Sequence, residues 1–333
     1  MSAKILDGEV LAGRIKEKLK KEISELKSKG KVPYLVAVQL GENPASKIYV
    51  GQQQKTCEQM GILYTLDQMS DTETEENILS EIKKLNSNKN ITGIILQMPL
   101  PQGIDARKIQ VSISPEKDVE GLHPSNMGRL VSATNIIGPC TALGAVELLK
   151  STGVRLKGLE AVIVGHSEIV GKPVAMLLLQ SITESPTVTV CHIATKDLAF
   201  HTKRADIIFS AAGRSQAVWL KYNSELKKYS QDKTLPIPKV PDLSALIKAG
   251  MIKEGSTVID IAINRIPEGF DHNGNPLLNE KGKPKMKTVG DVDFEKAKEK
   301  CSWITPVPGG VGPMTVAILL KNIVQTTKMQ AGI

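Results

Sequence analysis

Three stretches of this 333-residue chain combine residue types and spacings that could do chemistry. Thr305–Thr315 reads Thr-Pro-Val-Pro-Gly-Gly-Val-Gly-Pro-Met-Thr, three prolines and three glycines just ahead of the apolar run Val316-Ala317-Ile318-Leu319-Leu320. Proline fixes φ and removes a backbone donor, while glycine tolerates φ values that other residues avoid. Such a segment is a rigid surface, poor in side chains, that a flat ligand can approach closely. Gly165–Gly171 follows a strand pattern and opens a helical one, the context a pyrophosphate site requires, although its spacing is GxSxxxG and not GxGxxG. Gln97 follows Ile94-Ile95-Leu96 and precedes Met98-Pro99. A polar residue at the carboxyl end of a buried parallel strand is where α/β folds bind ligands.

The elements that must position these residues follow from periodicity. Asp7 caps a helix whose apolar positions Leu11, Ile15, Leu19, Ile23 and Leu26 recur every three or four residues, with Gly30 as its stop. Strands are predicted at Tyr34–Leu40, Ile62–Leu66 and Ile91–Gln97, with helices at about Ser46–Met60 and Thr74–Leu85 between them. Alternation of this kind implies a parallel sheet covered by helices. A second series begins near Gly138, with helices at Ala142–Lys150 and Pro173–Gln180. Its strands are Glu160–Val164, Thr187–Cys191, Ala205–Ala211 and Thr257–Ile263, a dinucleotide-binding half of the Rossmann kind. Residues 221–241, before a helix near Leu243–Lys248, and 267–287, with a tight Asn273-Gly274 turn, read as insertions.

Composition narrows the classes. A hydrophobic share of 41% suffices for real cores, and no run of 18 apolar residues predicts a membrane span. The opening Met1–Asp7 lacks the apolar core of a secretory signal. Four cysteines lie far apart with no CxxC pair, which suits reduced thiols and a cytoplasmic setting. The net charge of +8 with only 3% aromatics supplies few stacking platforms for nucleic acid. It suits a solvated lysine-rich surface, or steering of a small anionic substrate. His123, His192, His201 and His272 show no ligand spacing with cysteines or carboxylates, so structural or solvated roles and no metal site are expected.

Taken together the motifs resemble the tetrahydrofolate dehydrogenase/cyclohydrolase family. Thr305–Thr315 matches its signature residue for residue. The others follow in the family's order: Asn43-Pro44-Ala45-Ser46-Lys47-Ile48-Tyr49-Val50; Gly93–Pro101; Ser114-Pro115-Glu116-Lys117-Asp118-Val119-Glu120-Gly121; His123–Gly128; Pro139-Cys140-Thr141; Gly165–Pro173; and Gly290-Asp291-Val292. The resemblance implies a two-lobed α/β protein with parallel sheets. Residues 1–140 and 305–333 would form a folate-binding catalytic domain, to which the last helix, Val311–Thr327, returns, and 141–304 a Rossmann-type NAD(P)-binding domain. It implies oxidation of 5,10-methylenetetrahydrofolate to the methenyl form with NADP, then hydrolysis to 10-formyltetrahydrofolate, by a homodimer that binds neither nucleic acid nor membrane.

Carried over by position, Tyr49, Gln53, Gln97 and Glu120 are the catalytic candidates. With Leu96, Met98, Pro308, Gly309, Gly310, Val311 and Gly312 they form the substrate-binding set. Gly165, His166, Ser167, Gly171, Ile193, Ala194, Thr195 and Ile263 form the cofactor-binding set. Four positions depart from the family pattern. Gln53 stands where the family has a lysine on the helix face of Tyr49, and Lys55, about 200° further round, does not substitute for it. Glutamine orients a water but takes no proton, so dehydrogenase without cyclohydrolase is the alternative expectation. Glu120 replaces an aspartate. His166 replaces an arginine and Ile193 a serine at the ribose-phosphate end, which leaves NAD open as cofactor. A non-catalytic folate-binding protein is a further rival. Lys117 and Asp118 are expected in surface or turn roles.

Overall fold

The computed structural model describes residues 2–41, 44–134 and 136–333, the side chains of 44–49 excepted. In chain order the elements are β1 (Lys4–Ile5), α1 (Gly8–Ser28), β2 (Tyr34–Leu40), α2 (Pro44–Met60), β3 (Leu63–Met69), α3 (Glu75–Ser87), β4 (Gly93–Leu96), α4 (Ala106–Ser112), α5 (Pro124–Val131) and α6 (Cys140–Ser151). There follow β5 (Glu160–Val164), α7 (Gly171–Leu178), β6 (Thr187–Cys191), α8 (Leu198–Thr202), β7 (Ile207–Ser210), α9 (Arg214–Gln231), β8 (Thr257–Asp260), β9 (Asn264–Pro267), β10 (Met286–Val289), α10 (Phe294–Ala297), β11 (Trp303–Ile304) and α11 (Val311–Ala331). The contacts divide the chain into two compact units, Met1–Gly8 with Ala145–Gly312, and Glu9–Gly144 with Pro313–Ile333.

In the second of these units a parallel sheet runs β3-β2-β4. Central β2 is buried from Leu35 to Leu40, whereas edge β3 alternates between covered and open positions. That contrast is why the first reads as a continuous apolar run and the second does not. One face packs on Leu19, Ile23 and Leu26 of α1 and Ile318–Leu320, Ile323 and Val324 of α11. The other packs on Ile78 and Ile82 of α3 and Ile109 of α4. Strand β3 begins one residue later than the periodicity indicates and runs on to Met69, because its ladder with β2 continues through Leu40↔Met69.

The other unit holds a parallel sheet in the order β1-β11-β8-β7-β5-β6. Strands β5, β7 and β8 are apolar and almost wholly buried, as expected of strands covered on both faces. The two regions read as insertions take on structure of their own. The first part of 221–241 completes the long helix α9. Residues 267–287 lie within the antiparallel pair β9–β10, and Trp219, Tyr222 and Phe270 make a small aromatic core there. The expected Asn273-Gly274 turn is present, with Gly274 N–H donating to Asp271 O at 3.1 Å. The helix expected near Leu243–Lys248 is absent. Its backbone bonds sideways instead, Ile247 N–H to Asp291 O and Asp293 N–H to Ile247 O, which forbids the helical ladder.

Lys117 and Asp118 are both buried, so the expected surface role fails for them. Lys117 Nζ donates to the carbonyls of Leu85, Asn86 and Asn88 at 3.0, 2.7 and 2.7 Å, a cation closing the carboxyl end of α3. Burial holds its ammonium below the ordinary lysine range. Lys117→Met should strand three carbonyls and cost about 2–3 kcal/mol, the scale of lost charge-assisted hydrogen bonds. Urea unfolding of the whole chain measures this; a loss below about 0.5 kcal/mol, the scale of an ordinary surface change, would contradict the capping role.

Candidate active site

At the carboxyl end of β4 the sequence places a polar residue, and Gln97 is indeed buried there. Its Nε2 donates to Gln53 Oε1 at 3.0 Å, a buried contact between β4 and α2. The Tyr64 hydroxyl, from β3, donates to the same oxygen at 3.2 Å. With both lone pairs of Gln53 Oε1 taken, its Nε2 is turned away, buried and without an acceptor among the described residues. A buried donor with no partner is costly unless a ligand supplies one. Tyr64 had no distinguishing signal in the sequence. Burial pushes its phenol far above the ordinary tyrosine range, so it serves as a fixed donor. Leu96 packs in the core with Ile78 and Ile109, while Met98 is exposed. Tyr49 lies on α2, but its side chain lies outside the described residues.

Glu120 sits on a turn that a buried carboxylate ties down. Asp118 accepts from His123 N–H at 2.7 Å, Asn126 Nδ2 at 2.9 Å, Gly121 N–H at 3.1 Å and Gln110 Nε2 at 3.4 Å. His123 in turn caps α5, its Nδ1 accepting from Ser125 N–H. From α11, Asn322 Nδ2 donates to Val119 O at 2.8 Å and Gly138 O at 3.0 Å. Glu120 is therefore fixed on both sides. Burial, with the Asp118 charge adding to it, pushes its carboxyl up to about 8, so it holds a proton in neutral solution. The Cys140 thiol, buried beside it, is pushed well above its usual range and is no nucleophile.

In the other unit, the Gly165–Gly171 turn leaves β5 and enters α7. Gly165 has φ of +120° and Gly171 touches the turn's start: a Cβ on Gly171 would lie 2.0 Å from Gly165 O. Two glycines pressed together, with the first turn of α7 behind them, form a cradle that suits a pyrophosphate. Ser167 Oγ accepts from Val170 N–H at 3.1 Å and braces the turn. The structure brings His166 against His192, their rings stacked with centroids 4.8 Å apart, a role the sequence does not show for His192. Ile193 is fully exposed. Thr195 Oγ1 accepts from His192 N–H at 2.9 Å.

The same unit carries Ile263, exposed just beyond β8, and the Thr305–Gly312 loop. Thr305 Oγ1 accepts from Asp260 N–H at 2.7 Å, which ties the loop's start to the end of β8. Gly309 O accepts from Gly8 N–H at 2.9 Å. Asp291, wholly buried, joins the strand ends: its carboxylate takes Ser210 Oγ, Ala212 N–H, Gly213 N–H and Asn264 Nδ2. Beside it burial, then the Asp291 charge, pushes Asp260 up to about 7. Among the described residues no group of three or more His, Cys, Asp and Glu could hold a metal, and no helix is long and apolar enough to cross a membrane.

Parallel sheets, a glycine cradle at the end of β5 and buried amides at the end of β4 define a dinucleotide-dependent α/β enzyme. The family "Tetrahydrofolate dehydrogenase/cyclohydrolase" matches with its catalytic domain over residues 6–120 and its NAD(P)-binding domain over 139–227 and 242–331. The chain belongs to this family. It is 43% identical to the bifunctional protein FolD of Nautilia profundicola, over 97% of both chains. Among solved structures it resembles the bifunctional methylenetetrahydrofolate dehydrogenase/cyclohydrolase FolD of Campylobacter jejuni, with 39% identity, TM-score 0.80, and 98% of this chain and 99% of that one covered. The Trypanosoma brucei dehydrogenase-cyclohydrolase, solved with NADP and an inhibitor, is 32% identical with TM-score 0.80, covering 99% of each chain. Residues 228–241, between the two matched spans, fall in the first region read as an insertion, whereas the second, 267–287, lies within a matched span.

Gly171→Ala tests the cradle. Its Cβ would meet backbone atoms, which cannot swing aside. Dinucleotide affinity, read by quenching of protein fluorescence, should fall at least about 100-fold, or ~2.7 kcal/mol. Folate affinity of the same variant should stay within about twofold, under ~0.5 kcal/mol; equal losses for both ligands would mean general misfolding and not a local cradle.

Proposed function

We propose that this chain oxidises 5,10-methylenetetrahydrofolate to the 5,10-methenyl form with NADP, and hydrolyses that product to 10-formyltetrahydrofolate, in one-carbon metabolism. The observation that carries the reading is the unpartnered Gln53 Nε2 beside Gln97, a buried donor awaiting an acceptor at the end of a family-defining strand. NADP, when bound, takes a hydride from the folate's methylene bridge. The rest falls to the chain's own groups. The folate domain is 9–144 with 313–333 and the dinucleotide domain 1–8 with 145–312, a shift from the expected 1–140 with 305–333 because β1 and the 305–312 loop pack with the dinucleotide sheet. Tyr49 stacks on the aminobenzoate, and Glu120 reaches the pterin's amino and ring nitrogens. Gln53 and Gln97 fix the one-carbon region, with Leu96 and Met98 flanking. Pro308, Gly309, Gly310, Val311 and Gly312 offer the flat backbone surface. Gly165, His166, Ser167, Gly171, Ile193, Ala194, Thr195 and Ile263 hold the dinucleotide. Dehydrogenation needs positioning above all, and these groups are held by packed elements.

A homodimer in the cytoplasm completes the reading. Strand β6 ends its sheet with an open edge of the kind that pairs with a second copy. All four cysteines are free and buried, as suits a reducing compartment. Light scattering at micromolar protein should give twice the chain mass; a monomer at all concentrations would remove the dimer.

One observation favours a second reading, in which hydrolysis is the weaker step. Removing a proton from the attacking water needs a base, and Gln53 offers only an amide whose oxygen is already taken twice. Followed in one cuvette, absorbance of the reduced cofactor and of the methenyl product should show dehydrogenation outpacing hydrolysis. Gln53→Lys should raise hydrolysis by about 10²-fold or more, the usual worth of a positioned base, with dehydrogenation changed only a few-fold. Fast hydrolysis in the unaltered chain, unchanged in the variant, would remove this second reading.

A further inference from the structure

We propose that the stacked imidazoles of His166 and His192 form a proton-dependent clamp for the 2′-phosphate of NADP, so that the chain takes up a proton when it binds NADP and none when it binds NAD. The inference rests on the reading of the Gly165–Gly171 turn as the dinucleotide site. It begins with register. Strands β5 and β6 are parallel neighbours, with Val164 opposite Cys191 as the last pair. His166 lies two residues past Val164 and His192 one past Cys191, so both side chains leave the same end of the sheet. Their rings meet at 4.8 Å with planes only 16° apart. Both residues are exposed at the carboxyl edge, where a ligand reaches them.

The two rings are not equivalent. His192 Nδ1 accepts the Ala194 N–H at 3.2 Å, which requires that nitrogen to be unprotonated. The Thr195 hydroxyl receives the His192 backbone N–H and holds the residue in place. His192 thus presents Nε2–H as a donor. The His166 ring has no hydrogen-bonding partner among the described residues, so an added proton falls on it without breaking anything. A cation on one ring stacked against a neutral second ring is favourable; cations on both would repel at this separation. A dianionic phosphate beside the pair draws one proton from solvent onto His166 and accepts hydrogen bonds from both rings. NAD has a hydroxyl at that position and gives no such drive. Arginine would hold the charge at every pH; histidine makes it conditional near neutrality.

The charged groups around the pair, Lys196 excepted, are engaged elsewhere. On the turn from β5, Glu168 and Lys172 pair with each other at 3.4 Å. At the end of β6 burial raises the Cys191 thiol, so it stays neutral. After it, Asp197 accepts from Phe200 N–H and caps α8, beside the exposed Lys196. Arg204, beyond α8, turns to Thr189 Oγ1 at 3.2 Å and Glu160 at 3.6 Å. On the turn from β7, Arg214 donates to Ser244 O at 3.4 Å. The exposed Lys196 adds a charge that is constant over the range tested, so it contributes no slope.

The test is the affinity of the intact protein for NADP and NAD from pH 6.5 to 8.5, where the 2′-phosphate, titrating near 6, is already a dianion. NADP should weaken as pH rises, by up to about tenfold per unit, while NAD changes less than about twofold. Calorimetry near pH 7, in two buffers of different ionisation enthalpy, should show uptake of up to about one proton with NADP and none with NAD. His166→Arg should bind NADP tightly with a flat profile, and His166→Gln should weaken NADP towards the level of NAD. Parallel pH profiles for the two cofactors, or a slope that persists in His166→Arg, would overturn the clamp while leaving the dinucleotide site intact. Failure of both cofactors to bind at any pH would remove the site itself, and the clamp with it.

Discussion

A buried carboxylate must be surrounded by donors or give up its charge, and this chain uses that requirement twice to hold the turns on which its sites depend. Asp118 gathers two backbone N–H groups and two side-chain amides, and so folds the turn that carries Glu120. Asp291 gathers two backbone N–H groups, a hydroxyl and an amide, and so fastens the ends of β7 and the start of β9. Each of these knots draws together segments far apart in sequence. Loops are ordinarily the mobile part of an α/β protein; here their geometry is set from beneath by groups that accept nothing less than full saturation.

The same requirement explains which neighbours become acidic or neutral. Glu120 and Asp260 each lie close to a saturated aspartate, and both are pushed up, to about 8 and about 7, first by burial and then by that neighbour's charge. Asp118 takes the donors beside Glu120, whereas Asp260 keeps the Val292 and Ala262 N–H groups and is still raised, because burial and the Asp291 charge outweigh them. A carboxyl that is an acid at neutral pH both donates and accepts, a different recognition group from the carboxylate that a count of residue types would assume.

Much of this architecture is legible in the sequence because it rests on local pattern. Apolar runs at Tyr34–Leu40, Glu160–Val164 and Thr187–Cys191 locate three strands to the residue, and the glycine turn after β5 announces the dinucleotide half. What is not legible depends on partners distant in sequence. Lys117 reads as a turn residue, yet it is buried because three carbonyls at the end of α3 wait for it. The apolar period at Leu243–Lys248 resembles a helix, yet the segment bonds to Asp291 and Asp293 and stays extended. Tyr64 has no motif at all; only folding reveals that it fills the second lone pair of Gln53. His192 gains its neighbour from strand register, which no single-strand pattern states.

The positions that depart from the family pattern are side chains and not the backbone surfaces. In the backbone-built surfaces the glycines of the Gly165–Gly171 turn and the whole Thr305–Thr315 loop keep the family's residues, and at Gly165, Gly171 and Gly310 a Cβ would meet backbone atoms and destroy the shape itself. Gln53 and His166 instead put an amide and an imidazole where the family has a lysine and an arginine, while Glu120 keeps a carboxyl and adds a methylene. On the proposed reading Gln53 and His166 face ligands, so the exchange moves recognition there from ion pairs towards directional hydrogen bonds. Fixed charge attracts any ligand of opposite sign, whereas a conditional donor discriminates by demanding the right partner at the right distance. The glycine and proline surfaces supply shape without charge, and the side chains around them supply directional donors and acceptors.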